Sequence, residues 1–153
     1  MKQYGFSVII CIFIMLCGCS SKESNVFYVM FKGKPEITNS AVFFNGAEMG
    51  KIVSQKSGFG NICEVNITIN SEHLKNMKDN VVFCVSNGRL EYHPFTGGGA
   101  LLAKEAPVPG FSSNLSLSWF KAKNTLNNLP MEASKTAREL HEKIRWAELK
   151  EAP

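Results

Sequence analysis

Val42-Phe43-Phe44-Asn45-Gly46-Ala47-Glu48-Met49-Gly50-Lys51-Ile52 is the stretch whose reading decides the fold. Two apolar runs, Ala41–Phe44 and 52–53, flank a short polar segment that opens with Asn45-Gly46. Asn and Gly both tolerate the positive φ that a two-residue turn matched to strand twist demands, so the pair reads as a β-hairpin. Gly50 opens the second strand at a point where a side chain would be unwelcome.

Working outward, 26–31 is rich in β-branched and aromatic residues and ends at Lys32-Gly33-Lys34-Pro35, a first strand. A third strand over 51–55 stops at the turn cluster 56–61. From Cys63 to Asn70 the chain alternates, with Cys63, Val65, Ile67 and Ile69 on one face and Glu64, Asn66, Thr68 and Asn70 on the other, which predicts a strand wetted on one side. Ser71 is placed to cap a short helical turn carrying Leu74 and Met77, and Val81–Ser86 is a fifth strand.

The chain has 153 residues, room for one domain and an appendage. Its formal charge of +4 comes from 17 basic and 13 acidic residues scattered among one another, a mixed solvated surface that does not point to nucleic acid. The apolar residues crowd the front: Lys2 precedes an apolar run over 5–16, about a dozen residues, too short for the roughly 20 that cross a bilayer. The run fits the apolar region of an export signal.

Leu16-Cys17-Gly18-Cys19 at the end of that run resembles the lipobox of bacterial lipoproteins. The resemblance implies a signal peptide over 1–18, acylation of Cys19 as the first mature residue, and a polar tether over 19–25. One acyl chain holds a protein only reversibly, whereas two or three make the attachment effectively permanent. Ser20 rather than Asp after the acylated Cys resembles the outer-membrane class, so the expected location is periplasmic, tethered to the outer membrane in preference to the inner. With Cys11 and Cys17 removed and Cys19 alkylated, Cys63 and Cys84 remain as an even pair outside the cytosol. A disulfide between them and two free core thiols are the alternative readings. No Cys-x-x-Cys or paired-His spacing suggests a metal.

The succession of strand, Pro- or Gly-bearing connection, Val-x-x-x-Gly-x-x-x-Gly-x-Ile, alternating strand, short helical turn and strand resembles the MCE domain of the MlaD type. Val42, Gly46, Gly50 and Ile52 occupy the motif, and the likeness runs from Val26 to Leu102, about half of the chain. It implies a mainly β fold, a small seven-stranded barrel over 26–106, assembled as a homo- or hetero-oligomer in hexameric rings that pass phospholipid between bacterial membranes. Where the family has a Gly-Leu-Leu-Gly-like step before its pore-lining loop, this chain has a longer, more polar stretch over 88–95 and then 96–102. Leu90, Tyr92 and Phe95 are the expected pore and lipid contacts, with packing onto their own barrel as the alternative. Glu91 and His93 lie beside them without a nucleophile in a recognisable arrangement, so no catalytic residues and no cofactor are assigned.

Pro107-Val108-Pro109-Gly110 reads as a break in the β pattern, giving a linker over 107–118. Trp119, Ala122, Leu126 and Leu129, then Ala133, Ala137, Leu140, Ile144 and Ala147, recur at helical spacing and predict a helical arm over 119–150, with Pro130 in the first turn of its second helix. The narrow apolar seam suits either association between copies or a helix laid on its own barrel. The chain has no phosphate-binding Gly-Lys-Ser/Thr loop, so an ATP-driven permease complex is an expected partner. Two functional readings follow: a lipid-transport component, or a structural adaptor that docks through its arm and moves no ligand.

Overall fold

The computed structural model describes residues 25–58, 60–95, 98–123 and 129–151. Cys19, the signal over 1–18 and the tether up to residue 24 lie outside them. Seven strands form a closed barrel: β1 (Val26–Lys32), β2 (Ala41–Phe44), β3 (Ala47–Gly58), β4 (Ile62–Ile69), β5 (Val81–Ser86), β6 (Arg89–Pro94) and β7 (Pro107–Phe111). Around the barrel the order is β1-β4-β3-β2-β6-β5-β7, with β7 returning to β1. The contacts of β1 with β7, β2 with β6 and β5 with β7 are parallel, and the others are antiparallel.

The founding hairpin forms as its residues dictate. Asn45 and Gly46 take φ of 50° and 81°, and β2 pairs with β3 through Val42↔Gly50 and Phe44↔Ala47. A side chain at Gly50 would collide with the carbonyl oxygen of Thr68 on β4, so close approach of two strands requires glycine there. Beyond Ile52 the β3–β4 register slips by one residue, leaving Val53 as an extra, unpaired residue, 62% exposed.

A second Asn-Gly pair has the same effect. Asn87 and Gly88 adopt φ of 50° and 73° and turn β5 into β6, so the stretch over 88–95 expected to be a loop is largely a strand. The expected linker over 107–118 is likewise overturned, because Pro107–Phe111 is the strand that closes the barrel and a helix begins three residues later. Proline cannot donate to a ladder. Pro107 and Pro109 sit where β7 pairs with β1 alone, and pairing to β5 begins only at Gly110 and Phe111.

Side chains fill the barrel. Phe27, Val29 and Phe31 from β1, Val65 and Ile67 from β4, Val81 and Phe83 from β5, and Leu90 and Tyr92 from β6 share one buried cluster with Val42, Met49, Met77 and Val108. Leu74 and Met77 come from the single 3-10 turn Ser71–Asn76 and the residue after it; Asn70 stands at its cap position, with no side-chain capping bond from it, where Ser71 was expected.

Among the described residues two helices lie outside the barrel, α1 (Asn114–Lys123) and α2 (Leu129–Glu151). Ser113 and Ser116 each accept the other's backbone N–H at 3.2 Å, a reciprocal cap that starts α1 earlier than the expected Trp119. That start turns Leu117 inward and leaves Trp119 64% exposed, off the seam to which its spacing assigned it. Pro130 does fall in the first turn of α2. Leu129 and Ala133 pack with Leu117 on Val82, Cys84 and Phe95. Ala137, Leu140 and Ile144 pack on Met30 and Ile62. The arm therefore lies on its own barrel, its small residues allowing close approach; Ile144 occupies the space a side chain at Gly58 would need.

Replacing Gly50 by Val should cost about 1–3 kcal/mol, the range for forcing bulk into a packed site. Gly98→Ala, which faces open space, should leave the urea midpoint where it is. Equal midpoints for the two variants would contradict the close β3–β4 approach.

Candidate functional site

The motif residues Val42, Gly46, Gly50 and Ile52 build the hairpin: Val42 is buried, Gly46 completes the turn, and Ile52 packs half-buried against the core. Leu90, Tyr92 and Phe95 are not free to line a pore. Leu90 and Tyr92 point into the barrel, where Tyr92 stands edge-on to Phe44 and Phe83 at 4.9 and 5.9 Å and its hydroxyl donates to the Asn76 carbonyl. Burial pushes the Tyr92 phenol above its ordinary pKa. Phe95 is buried under α1 and α2, with the Lys121 ammonium 5.8 Å over its ring. Period-two alternation along β6 turns Leu90 and Tyr92 inward, while Phe95 follows the strand's end.

Cys63 and Cys84 are both free and buried, which overturns the disulfide. Cys63 faces the barrel interior and Cys84 faces outward under the helices, so the barrel wall separates them. Cys84 approaches Asn114 Oδ1 at 3.3 Å, and burial pushes its thiol up to about 11. Burial also raises Cys63.

Glu91 and His93 stand on the outer face of β6, half-buried, with Nε2 of His93 3.7 Å from Glu91 Oε2, beyond hydrogen-bonding distance. Burial lowers the His93 pKa, outweighing the raising effect of Glu91. A second acid–imidazole contact was not legible. Glu64, expected on a wet face, is only 5% exposed because α2 covers it, and its Oε2 lies 3.6 Å from Nδ1 of His141, whose ring stacks on Tyr28 at 5.5 Å. Burial, then the charges of Glu105 and Glu64, raise the Tyr28 phenol. Among the described residues no group of His, Cys, Asp and Glu is arranged to hold a metal.

The surfaces left for binding are outside the barrel. Leu115 and Trp119 on α1 and Trp146 and Leu149 on α2 are each between 64% and 69% exposed. A cleft of about 570 Å³ runs between Asp79 and Asn80 and the α2 residues Met131, Arg138 and Glu142, with charges of both signs. A smaller groove of about 290 Å³ lies between α1 and α2 over β1 and β7, lined mainly by apolar groups such as Met30, Pro109, Phe120 and Leu140. The available sequence signal for such a covered outer wall is the unbroken apolar run of β1 and of β5, which leaves no wet face. No helix among the described residues is long and apolar enough to cross a membrane.

No protein-family model matches the chain, and no curated protein does. Among solved structures, the chain is similar to a chain of the Acinetobacter MlaFEDB complex in its ATP-bound Vtrans1 conformation, at 15% identity over 71% of this chain and 85% of that chain, with a TM-score of 0.36.

Neither Cys63 nor Cys84 should react with iodoacetamide in the folded protein at neutral pH, and both should react after unfolding, as mass spectrometry reads directly. A native-state mass short by two hydrogen atoms, or ready alkylation of Cys84, would contradict the arrangement. His93 supplies a pH dependence. Its folded-state pKa lies below the ordinary 6.5, so the unfolded chain binds the proton more readily. The corresponding stability is present above pH 6.5 and is lost as pH falls through the folded-state value. The urea midpoint should therefore drop less on acidification in His93→Gln than in the unsubstituted protein; equal drops would place the imidazole in water.

Proposed function

We propose that this chain is the MCE-type barrel of a lipid-anchored periplasmic lipoprotein, a component of a system that moves phospholipid between bacterial membranes. It works by non-covalent binding in a ring of subunits, without chemistry of its own. The observation that carries the reading is a barrel packed solid, with its uncommitted apolar side chains on the outside: Leu115, Trp119, Trp146 and Leu149. Exposed apolar surface marks contact with a partner, a ligand or a membrane. In a ring, the lining comes from these outer faces and from the loops at the barrel ends, not from Leu90, Tyr92 or Phe95. The motif Val42, Gly46, Gly50 and Ile52 supports the MCE assignment, and Leu16-Cys17-Gly18-Cys19 supports acylation at Cys19.

Ser20 favours the outer membrane over the inner, and an ATP-driven permease supplies direction, since the sequence has no phosphate-binding loop of the Gly-Lys-Ser/Thr type. A second reading, an adaptor that docks partners and carries nothing, is favoured by one feature: Trp146 and Leu149 project from the last turns of α2, on the side away from the barrel contacts of Ala137 and Ile144.

Purifying the portion that follows Cys19 without detergent, then recording negative-stain images and lipid mass spectra, separates the two. Rings with co-purifying phospholipid are expected. Monomers free of lipid would overturn the transport reading and leave the adaptor.

A further inference from the structure

Between α1 and α2, over β1 and β7, a groove of about 290 Å³ is left unfilled. Its floor is apolar: Met30 projects outward from β1, and Pro109 from β7. Phe120 of α1, whose ring is tilted 49° to that of Phe111 at 5.1 Å between centroids, forms one wall and Leu140 of α2 the other.

Three hydroxyls, those of Ser112, Ser116 and Thr136, also border the groove, and the last two have their protons committed to backbone. Ser116 Oγ donates to the Ser113 carbonyl at 2.7 Å, and Thr136 Oγ1 to the Glu132 carbonyl at 2.9 Å. What they turn to the groove is therefore weakly polar. The charged group on its border is Lys32, exposed at the end of β1, and α1 beside it carries Lys121 and Lys123 and no acidic residue.

We propose that this groove binds the chain of a single-chain anionic amphiphile, a fatty-acid type of molecule, with its headgroup at Lys32. The volume selects one chain. A water takes about 30 Å³ in the liquid, so the groove holds on the order of ten groups of that size, comparable to the methylenes of one medium-length acyl chain. It sits at the lower end of the roughly 300–1,000 Å³ typical of small-ligand pockets, and a two-chain phospholipid would not enter whole. Each methylene leaving water contributes about 0.8 kcal/mol, so binding strengthens with chain length until the groove is full. The charge selects the head: an anion gains from Lys32, and a cation is repelled.

This deepens the lipid-handling reading and rests on it for the choice of ligand class, yet its test is independent of ring formation. The full-length chain, held in an amphipathic polymer, is irradiated with a diazirine-bearing dodecanoic acid, and the labelled peptides are mapped by mass spectrometry. Labelling, assigned residue by residue, should fall on 109–112, 116, 120 and 136–140, and not on Leu115 or Trp119. Sodium dodecanoate should compete, while dodecyltrimethylammonium and inorganic phosphate should not, which separates a lipid chain from a bare anion.

Thr136→Trp, a change at an exposed position that sets a large ring over the groove, should abolish labelling there without moving the thermal midpoint. Lys32→Glu should weaken competition by dodecanoate about fivefold, as suits an exposed charge, and by less at high salt. Label spread over Leu115, Trp119 and Trp146 in every variant would overturn the proposal in favour of surface adsorption. No label at 109–112, 116 and 120, as when another segment or a second copy already fills the groove, would overturn it as well. Either failure leaves the transport reading standing if rings with phospholipid are seen.

Discussion

Phe27, Val29 and Phe31 of β1 point into the barrel while Tyr28 and Met30 point out of it, and water has to be kept from both sets. β5 has the same two-faced character, with Val81, Phe83 and Val85 inside and Val82 and Cys84 outside. A strand of that kind is stable only between two apolar layers. The barrel interior is one layer, and the helices are the other. Burying a large apolar side chain contributes about 1.5–3 kcal/mol, so leaving the outer faces of these strands wet would forfeit a large part of a small domain's margin. The arm is therefore the second layer of the fold and not an appendage to it.

β7 joins the two layers. It runs parallel between β1 and β5, so the doubly apolar strands become neighbours of one strand and can share one helical cover, α1 on β5 and α2 across β7 onto β1 and β4. Its prolines limit pairing to β5 but cost nothing at positions bonded on one side only, and Val108 still fills the interior. Closure thus unites strands that are distant in sequence.

Because the interior is full, the apolar surface left open lies on the exterior. The same covering helices that keep water from Met30 and Val82 also bury Glu64 against His141 and Tyr28, place Trp119 and Trp146 in solvent, and leave an apolar groove between them. Candidate sites on this protein are consequences of how the arm lies, which explains why the residues closest to the recognisable motif, Leu90 and Tyr92, serve the core.

Local chemistry determined a good deal. Asn45-Gly46 made a hairpin because only such residues take positive φ cheaply, the alternation from Cys63 to Ile69 put four side chains inward, and Asn87-Gly88 made the β5–β6 turn for the same reason as Asn45-Gly46. The helical period after Leu129 named Ala133, Ala137, Leu140 and Ile144 correctly as an inner face. What lay beyond the sequence was which surface meets which. Whether Pro107–Phe111 is a break or a strand depends on having an edge to pair on one side, and whether Glu64 is wet depends on a helix that begins 65 residues later in the chain, at Leu129. The two cysteines could be counted but not placed, since the wall between them exists only once the barrel closes. Turn and period are properties of a few neighbouring residues; burial is a property of the assembled layers, and only the tertiary structure decides it.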